Sequence, residues 1–143
     1  GRAEIEDSFS PSDIPYIEGE EFAVYSHHAQ TLTSCKREER QEIILPFMGC
    51  EIITVSPILD FIAPLGLLDK YNGSAAIMGF ELREGRVAEC RLKDGGKVGF
   101  YAAREPKEVL VNGKAAPWEY NSVTKLLVLT VQTGSEVRIS LDF

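Results

Sequence analysis

The residue types able to do chemistry in this chain are few and far apart. His27 and His28, its two histidines, stand side by side at the end of the apolar run "FAVYSHH". As metal ligands they would need a cysteine or carboxylate at ligand spacing, and none stands there. As general bases they would need a partner within hydrogen-bond reach that no local pattern supplies, so a polar strand end is the simpler reading. Cys35, Cys50 and Cys90 are odd in number and form no C-x-x-C pair, which indicates neither a disulfide framework nor a zinc site. Cys50 and Cys90 lie in strand-like runs, where a thiol packs as a small hydrophobe, and that favours a reducing compartment. The chain has 22 carboxylates, but none sits in a motif that would hold two of them at a fixed separation in a pocket. A nucleophile elbow, a phosphate-binding glycine loop, a dinucleotide fingerprint, H-E-x-x-H and an EF-hand loop are all missing. No residue is therefore assigned a catalytic, cofactor-binding or metal-ligating role, and no cofactor is expected.

Aromatic residues offer the other chemistry. Trp118 and Tyr120 are two apart and would project from one side of a strand; with Tyr101 in "GFYAA" they could stack on a sugar ring. In a small β-domain such residues more often fill the core. The one cluster of basic residues, Lys36, Arg37 and Arg40, is interleaved with Glu38, Glu39 and Glu42, and the chain carries a formal charge of −7. A nucleic-acid backbone needs a coherent basic face, so DNA and RNA are not expected partners, and "KREERQE" reads as a solvated loop or helical turn. No apolar run is long enough to span a bilayer, and "GRAEIEDSFS" has neither the basic lead nor the apolar middle of a signal peptide. Asn72-Gly73-Ser74 matches the N-glycosylation pattern, which would matter only in a secreted chain.

The elements that must position these groups read as strands. At 143 residues the chain suits one domain with one core. Residues 1–20 are polar, with Pro11, Pro15 and "SPSD", and read as a connector ending at Gly19; residues 21–143 read as the domain. Strands are expected at 22–27, 42–47, 51–58, 75–82, 87–92, 98–103, 108–111, 116–120, 126–131 and 137–143. Asn112-Gly113 between "EVLV" and "KAAPWEY" is a hairpin signal, because both central residues of a type I′ turn need positive φ. Glu84-Gly85, Asp94-Gly95-Gly96 and Thr133-Gly134 punctuate the later runs. In "EVRISLDF", Val137, Ile139, Leu141 and Phe143 point one way and the polar set the other. "LLVLTV" and "EIITVSPI" are apolar on both faces and belong centrally or beneath another part of the protein. The pattern predicts an all-β fold, an antiparallel β-sandwich of about eight to ten strands. One stretch resists it: "IAPLGLLDKYNGSAAI", Ile62 to Ile77, packs Pro64, Gly66, Asn72 and Gly73 among leucines with no evident strand or helix to join.

The order of several motifs supplies a resemblance. "DFIAPLGLLDKYNGSAAI", preceded by "EEFAVYSH" and "CEIITVSPI" and followed by "GKVGFYAAREPKEVLVNG", resembles in sequence and order the C-terminal region of the raffinose synthase, seed imbibition protein and alkaline α-galactosidase family, the plant-type branch of glycoside hydrolase family 36. The likeness runs from about Ser10 to Phe143. It implies a C-terminal accessory β-sandwich of a retaining α-galactosyl enzyme, whose two catalytic aspartates lie upstream in a (β/α)₈ barrel, and no position here matches their motifs. Galactosides would be met only through that barrel, and the cytosol, or alternatively a plastid, is the implied location. Asp69-Lys70 stands where the family has Asn-Met, Gly73-Ser74-Ala75 where it has Ser-Gly-Gly, and a Trp-Asn-Gly element before "FAVYSH" is missing. These departures leave hydrolase and transferase both open.

On this reading Ile62, Leu65, Leu67, Leu68 and Tyr71 either plug the end of the sandwich or form the surface that meets the barrel. The rivals are a free-standing carbohydrate-binding module built on Trp118, Tyr120 or Tyr101, and a purely structural interaction domain.

Overall fold

Alternating apolar residues and frequent turn residues make strands, and strands account for nearly all of the regular structure. The computed structural model describes residues 5–14, 17–45, 52–70 and 72–143. Within them lie β1 (Ile5–Phe9), β2 (Glu21–Ser26), β3 (Thr31–Lys36), β4 (Gln41–Leu45), β5 (Ile53–Pro57), β6 (Ile62–Leu67) and β7 (Ile77–Arg83). The second half adds β8 (Val87–Leu92), β9 (Gly96–Ala102), β10 (Glu108–Val111), β11 (Lys114–Ala115), β12 (Glu119–Asn121), β13 (Leu126–Val131) and β14 (Val137–Asp142). All pairings between them are antiparallel. The strands form a five-stranded sheet in the order β11-β10-β14-β8-β7, a four-stranded sheet β12-β13-β9-β6, a three-stranded sheet β3-β2-β5 and a β1-β4 ribbon.

Side-chain alternation then stacks the sheets. Ala88, Cys90, Leu92, Val137, Ile139 and Leu141 of the five-stranded sheet meet Val98, Phe100, Ala102, Leu127 and Leu129 of the four-stranded sheet, and all of them are buried. This is the expected antiparallel β-sandwich. Each large side chain fully buried there contributes about 1.5–3 kcal/mol of transfer free energy. The other face of the four-stranded sheet is covered as well. Ala63 and Leu65 of β6, with Leu68 just beyond it, pack on Ala23, Tyr25 and Leu32 of the three-stranded sheet, with Tyr101, Leu126 and Val128 at the margin. The four-stranded sheet is thus a middle layer, which is why "LLVLTV" is apolar on both faces.

Two expectations change. "IAPLGL" does join a strand; it is β6, the edge of the middle sheet, paired with β9 and buried along its whole length. Pro64 is tolerated because an edge strand can do without a donor, and a register shift between Pro64 and Gly66 makes a bulge, with Gly66 at φ +82°. Of the two places expected for "EIITVSPI", centrally or beneath another part of the protein, the central one is not taken. Its β5 is an edge strand beside β2, and its buried residues are the polar Thr54 and Ser56. Within the segment expected to be a connector, the described residues make contacts of their own: β1 pairs with β4, Ser10 and Pro11 are buried, and Arg37 donates to the carbonyls of Ile17 and Gly19 at 2.8 Å each. Arg40, at 2.9 Å from Asp13, ties the same segment, so "KREERQE" is partly a clasp.

The later half follows expectation closely. Asn112 and Gly113 have φ of 52° and 83°, as a type I′ hairpin requires, and Val111 faces Lys114 across the turn. Pro117 interrupts the expected strand at 116–120, leaving the short β11 and β12.

Candidate functional site

The groups singled out by chemistry are mostly absorbed by packing. His27 is buried and bridges layers: Nδ1 donates to the Leu68 carbonyl at 3.4 Å, and Nε2 is hydrogen-bonded to the Thr54 hydroxyl at 2.8 Å. The edge of Tyr25 or His27 meets the other's ring face, centroids 4.9 Å apart. The histidine thereby joins β2, β5 and the end of β6, a structural use of a polar strand end. His28 is exposed. Burial pushes the Cys90 thiol up to about 12, which makes it a poor nucleophile, and burial followed by the nearby charge of Glu39 raises that of Cys35. Cys50 lies outside the described residues. Among the described residues no group of three or more His, Cys, Asp or Glu could hold a metal ion, and no helix is long and apolar enough to cross a membrane.

The segment expected either to plug the end of the sandwich or to meet a barrel is buried within the chain. Ile62 and Leu65 are 0% exposed, Leu67 2% and Leu68 7%. Ile62 and Leu67 face the five-stranded sheet, and Leu65 and Leu68 face the three-stranded one. Leu68 reaches its place because Gly99 of β9, the register partner of Gly66, has no side chain; a Cβ there would stand 2.6 Å from a Leu68 methyl. Bridging two interfaces from an edge strand takes all four leucine-like side chains, leaving none as a free apolar surface. Tyr71 lies outside the described residues.

The three aromatic residues do not form one platform. Tyr120 lies opposite Leu127 and with Trp118 packs against the margin of the sandwich core, whereas Tyr101 faces the three-stranded sheet. Tyr120 donates to the Ala102 carbonyl at 2.8 Å, and its hydroxyl pKa is raised by burial and then by Tyr101 and Glu105. Trp118 Nε1 donates to Glu105 at 3.0 Å. Trp118 also lines a shallow groove of about 240 Å³ with Pro117, Glu119, Val128 and Thr130. An indole face beside a carboxylate and a hydroxyl is a combination able to hold a sugar ring.

Sequence reasoning missed a clamp at Asp94. Its Oδ1 accepts from the backbone N–H of Gly95 at 2.8 Å and of Gly134 at 2.6 Å, tying the β8–β9 turn to the β13–β14 turn. Both turns were legible from glycine, but nothing in one sequence says that they touch. The Gly134 bond is the largest of the causes that hold the Asp94 carboxyl below its ordinary value. A depressed folded-state pKa means stabilisation fully present above about pH 4 and lost as pH falls through the lower folded value. Asp94→Asn should therefore melt below the unmodified chain at pH 7, with the gap closing as the pH drops below about 4. A gap of constant size across that range would show that the carboxylate charge contributes nothing.

Comparison with known proteins shows what the chain is similar to. Residues 2–131 match the family model "Raffinose synthase or seed imbibition protein Sip1". A galactinol–sucrose galactosyltransferase of Oryza sativa subsp. japonica is 30% identical over 149 residues, covering 92% of this chain and 18% of the relative. A probable galactinol–sucrose galactosyltransferase 6 of Arabidopsis thaliana is 32% identical over 112 residues, covering 73% of this chain and 15% of the relative. The chain thus spans less than a fifth of the length of the curated relatives it matches. Among solved structures, a GH31 dextranase of Flavobacterium johnsoniae complexed with isomaltotriose aligns over 96% of this chain and 24% of its own, with 9% identity and a TM-score of 0.47.

Proposed function

Because the chain belongs to the raffinose synthase or seed imbibition protein family, we propose that it serves as the C-terminal accessory β-sandwich of an α-galactosyl enzyme. The whole enzyme would be a galactinol–sucrose galactosyltransferase or an alkaline α-galactosidase acting in the cytosol or a plastid. The chemistry would be retaining: one carboxylate attacks the galactosyl carbon, a second protonates the leaving oxygen, and water or a sugar hydroxyl then takes the galactose. On this reading both carboxylates belong to a (β/α)₈ barrel, and the sandwich holds the barrel's neighbouring loops still, as a supporting shell does for a site elsewhere. The observation that carries the reading is the match of residues 2–131 to the family by a chain spanning only 18% of the rice relative. The test is direct. The 143-residue chain, incubated with an aryl α-galactoside, should release no galactose above buffer, and measurable turnover would overturn the non-catalytic assignment.

The Trp118 groove supports a second reading, a carbohydrate-binding surface on the same domain. Titration with galactose, melibiose, raffinose and sucrose should then show millimolar binding that vanishes in Trp118→Ala while the melting curve is kept. Binding unchanged in that variant would remove Trp118 from the account.

A further inference from the structure

The outer face of the five-stranded sheet is polar and carries its charges in an unusual order. Arg91 of β8 and Arg138 of β14 are direct cross-strand partners, and both side chains point away from the core. Like charges placed directly opposite destabilise a sheet. Arg83 is paired with Glu89 and Arg86 with Asp142, whereas neither Arg91 nor Arg138 has an ion-pair partner among the described residues.

The third position in this cross-strand row is Gly79 of β7, paired with Arg91. A Cβ at position 79 would stand 3.2 Å from Nη2 of Arg91, so the guanidinium lies over bare backbone. The missing side chain opens a groove of about 420 Å³ lined by Gly79, Glu81, Glu89, Arg91 and Arg138. A second hollow of about 220 Å³ shares Arg91 and Arg138 and extends to Asn112 and Glu136. Asn112 Oδ1 is used by the Arg138 N–H at 2.9 Å, which leaves its amide N–H groups as donors. The site thus presents guanidinium and amide donors together with the carboxylates of Glu81, Glu89 and Glu136.

We propose that Arg91 and Arg138 form a binding site for one oxyanion, the phosphate or carboxylate of a small polyhydroxylated ligand. Two guanidiniums suit an oxyanion because each offers paired N–H donors in a planar fork. The carboxylates of Glu81, Glu89 and Glu136 beside them disfavour a polyanion but accept hydroxyl hydrogens, so the ligand carries a single anionic head and a hydroxylated body. A phosphorylated sugar and a sugar acid both fit, and they differ only in the anion.

Amide chemical-shift titration of the 143-residue chain tests this, with galactose 1-phosphate, galacturonate, inorganic phosphate and galactose as probes. At least one sugar anion should shift the amides around Arg91 and Arg138, binding about tenfold or more tighter than galactose. Saturation by galactose 1-phosphate alone identifies a phosphate site, and by galacturonate alone a carboxylate site. Arg91→Gln and Arg138→Gln should each weaken binding by about tenfold or more. Each removes a like-charge pair, so the melting temperature should hold or rise, which separates lost binding from lost fold. No shifts with any anion at about 20 mM, or affinity unchanged in both variants, overturns the proposal.

Discussion

Gly66→Ala should lower the melting temperature by on the order of 10 °C. Gly66 sits in the β6 bulge at φ +82°, and a Cβ built on it would lie under 3.0 Å from backbone atoms of Gly73 and Ser74. The left-handed conformation costs a non-glycine residue roughly 1–2 kcal/mol. Forcing a methyl into a filled space costs roughly 1–3 kcal/mol more. Backbone is what blocks it, so no rotamer change gives relief, and the 3₁₀ turn Gly73–Ala76 would have to move off β6. Gly113→Ala separates the two causes. Its φ is +83°, but nothing lies within 4 Å of the added Cβ, so only the conformational cost of roughly 1–2 kcal/mol remains. Thermal melts of both variants decide it: equal shifts would mean that the close approach of β6 and the turn has no energetic weight.

That close approach explains what could not be read from the sequence. β14 was legible because one of its faces is core and the other wet, so Val137, Ile139 and Leu141 alternate with polar residues. The β10–β11 hairpin was legible because Asn112-Gly113 encodes positive φ locally. β6 gave neither signal. Buried on both faces it has no alternation, and its Pro64 and Gly66 carry the punctuation of a loop. Those same residues suit an edge strand with a bulge, which only the tertiary arrangement reveals. β3 was missed for a related reason, since its buried residues, Leu32 and Cys35, are three apart and break the period of two.

The candidate site was legible to a smaller degree. The family could be recognised from motif order, and Trp118 from its residue type. The Arg91–Arg138 pair could not, because the two positions are 47 apart in number and become neighbours only through the β8–β14 register. Asp94 and Gly134 are joined in the same non-local way. Chemistry assembled across strands leaves no local pattern, whereas turns and alternating faces do.

The second large effect concerns Leu65, where two accounts of the same residue separate. If Leu65 served as surface for another domain, trimming it would leave this chain's own stability untouched. The structure instead places it fully buried between the middle sheet and the three-stranded sheet, against Ala23, Tyr25 and Leu32. Leu65→Ala should therefore cost about 2–5 kcal/mol, the lost transfer energy plus the cavity left behind. Leu59→Ala, at a side chain 44% exposed in the turn before β6, should cost about 0.5 kcal/mol or less. Urea titration at one temperature compares them, with unchanged slopes showing that only stability has moved. The loss should also be uneven. Leu65 is shared with the three-stranded layer and not with the core between the other two sheets, so amide exchange should quicken first in β2 and last in β14. A Leu65→Ala chain as stable as Leu59→Ala would return β6 to the role of a docking surface. A chain destabilised with the expected order of exchange would assign "IAPLGL" to the interior, as the strand that fastens the third layer to the sandwich.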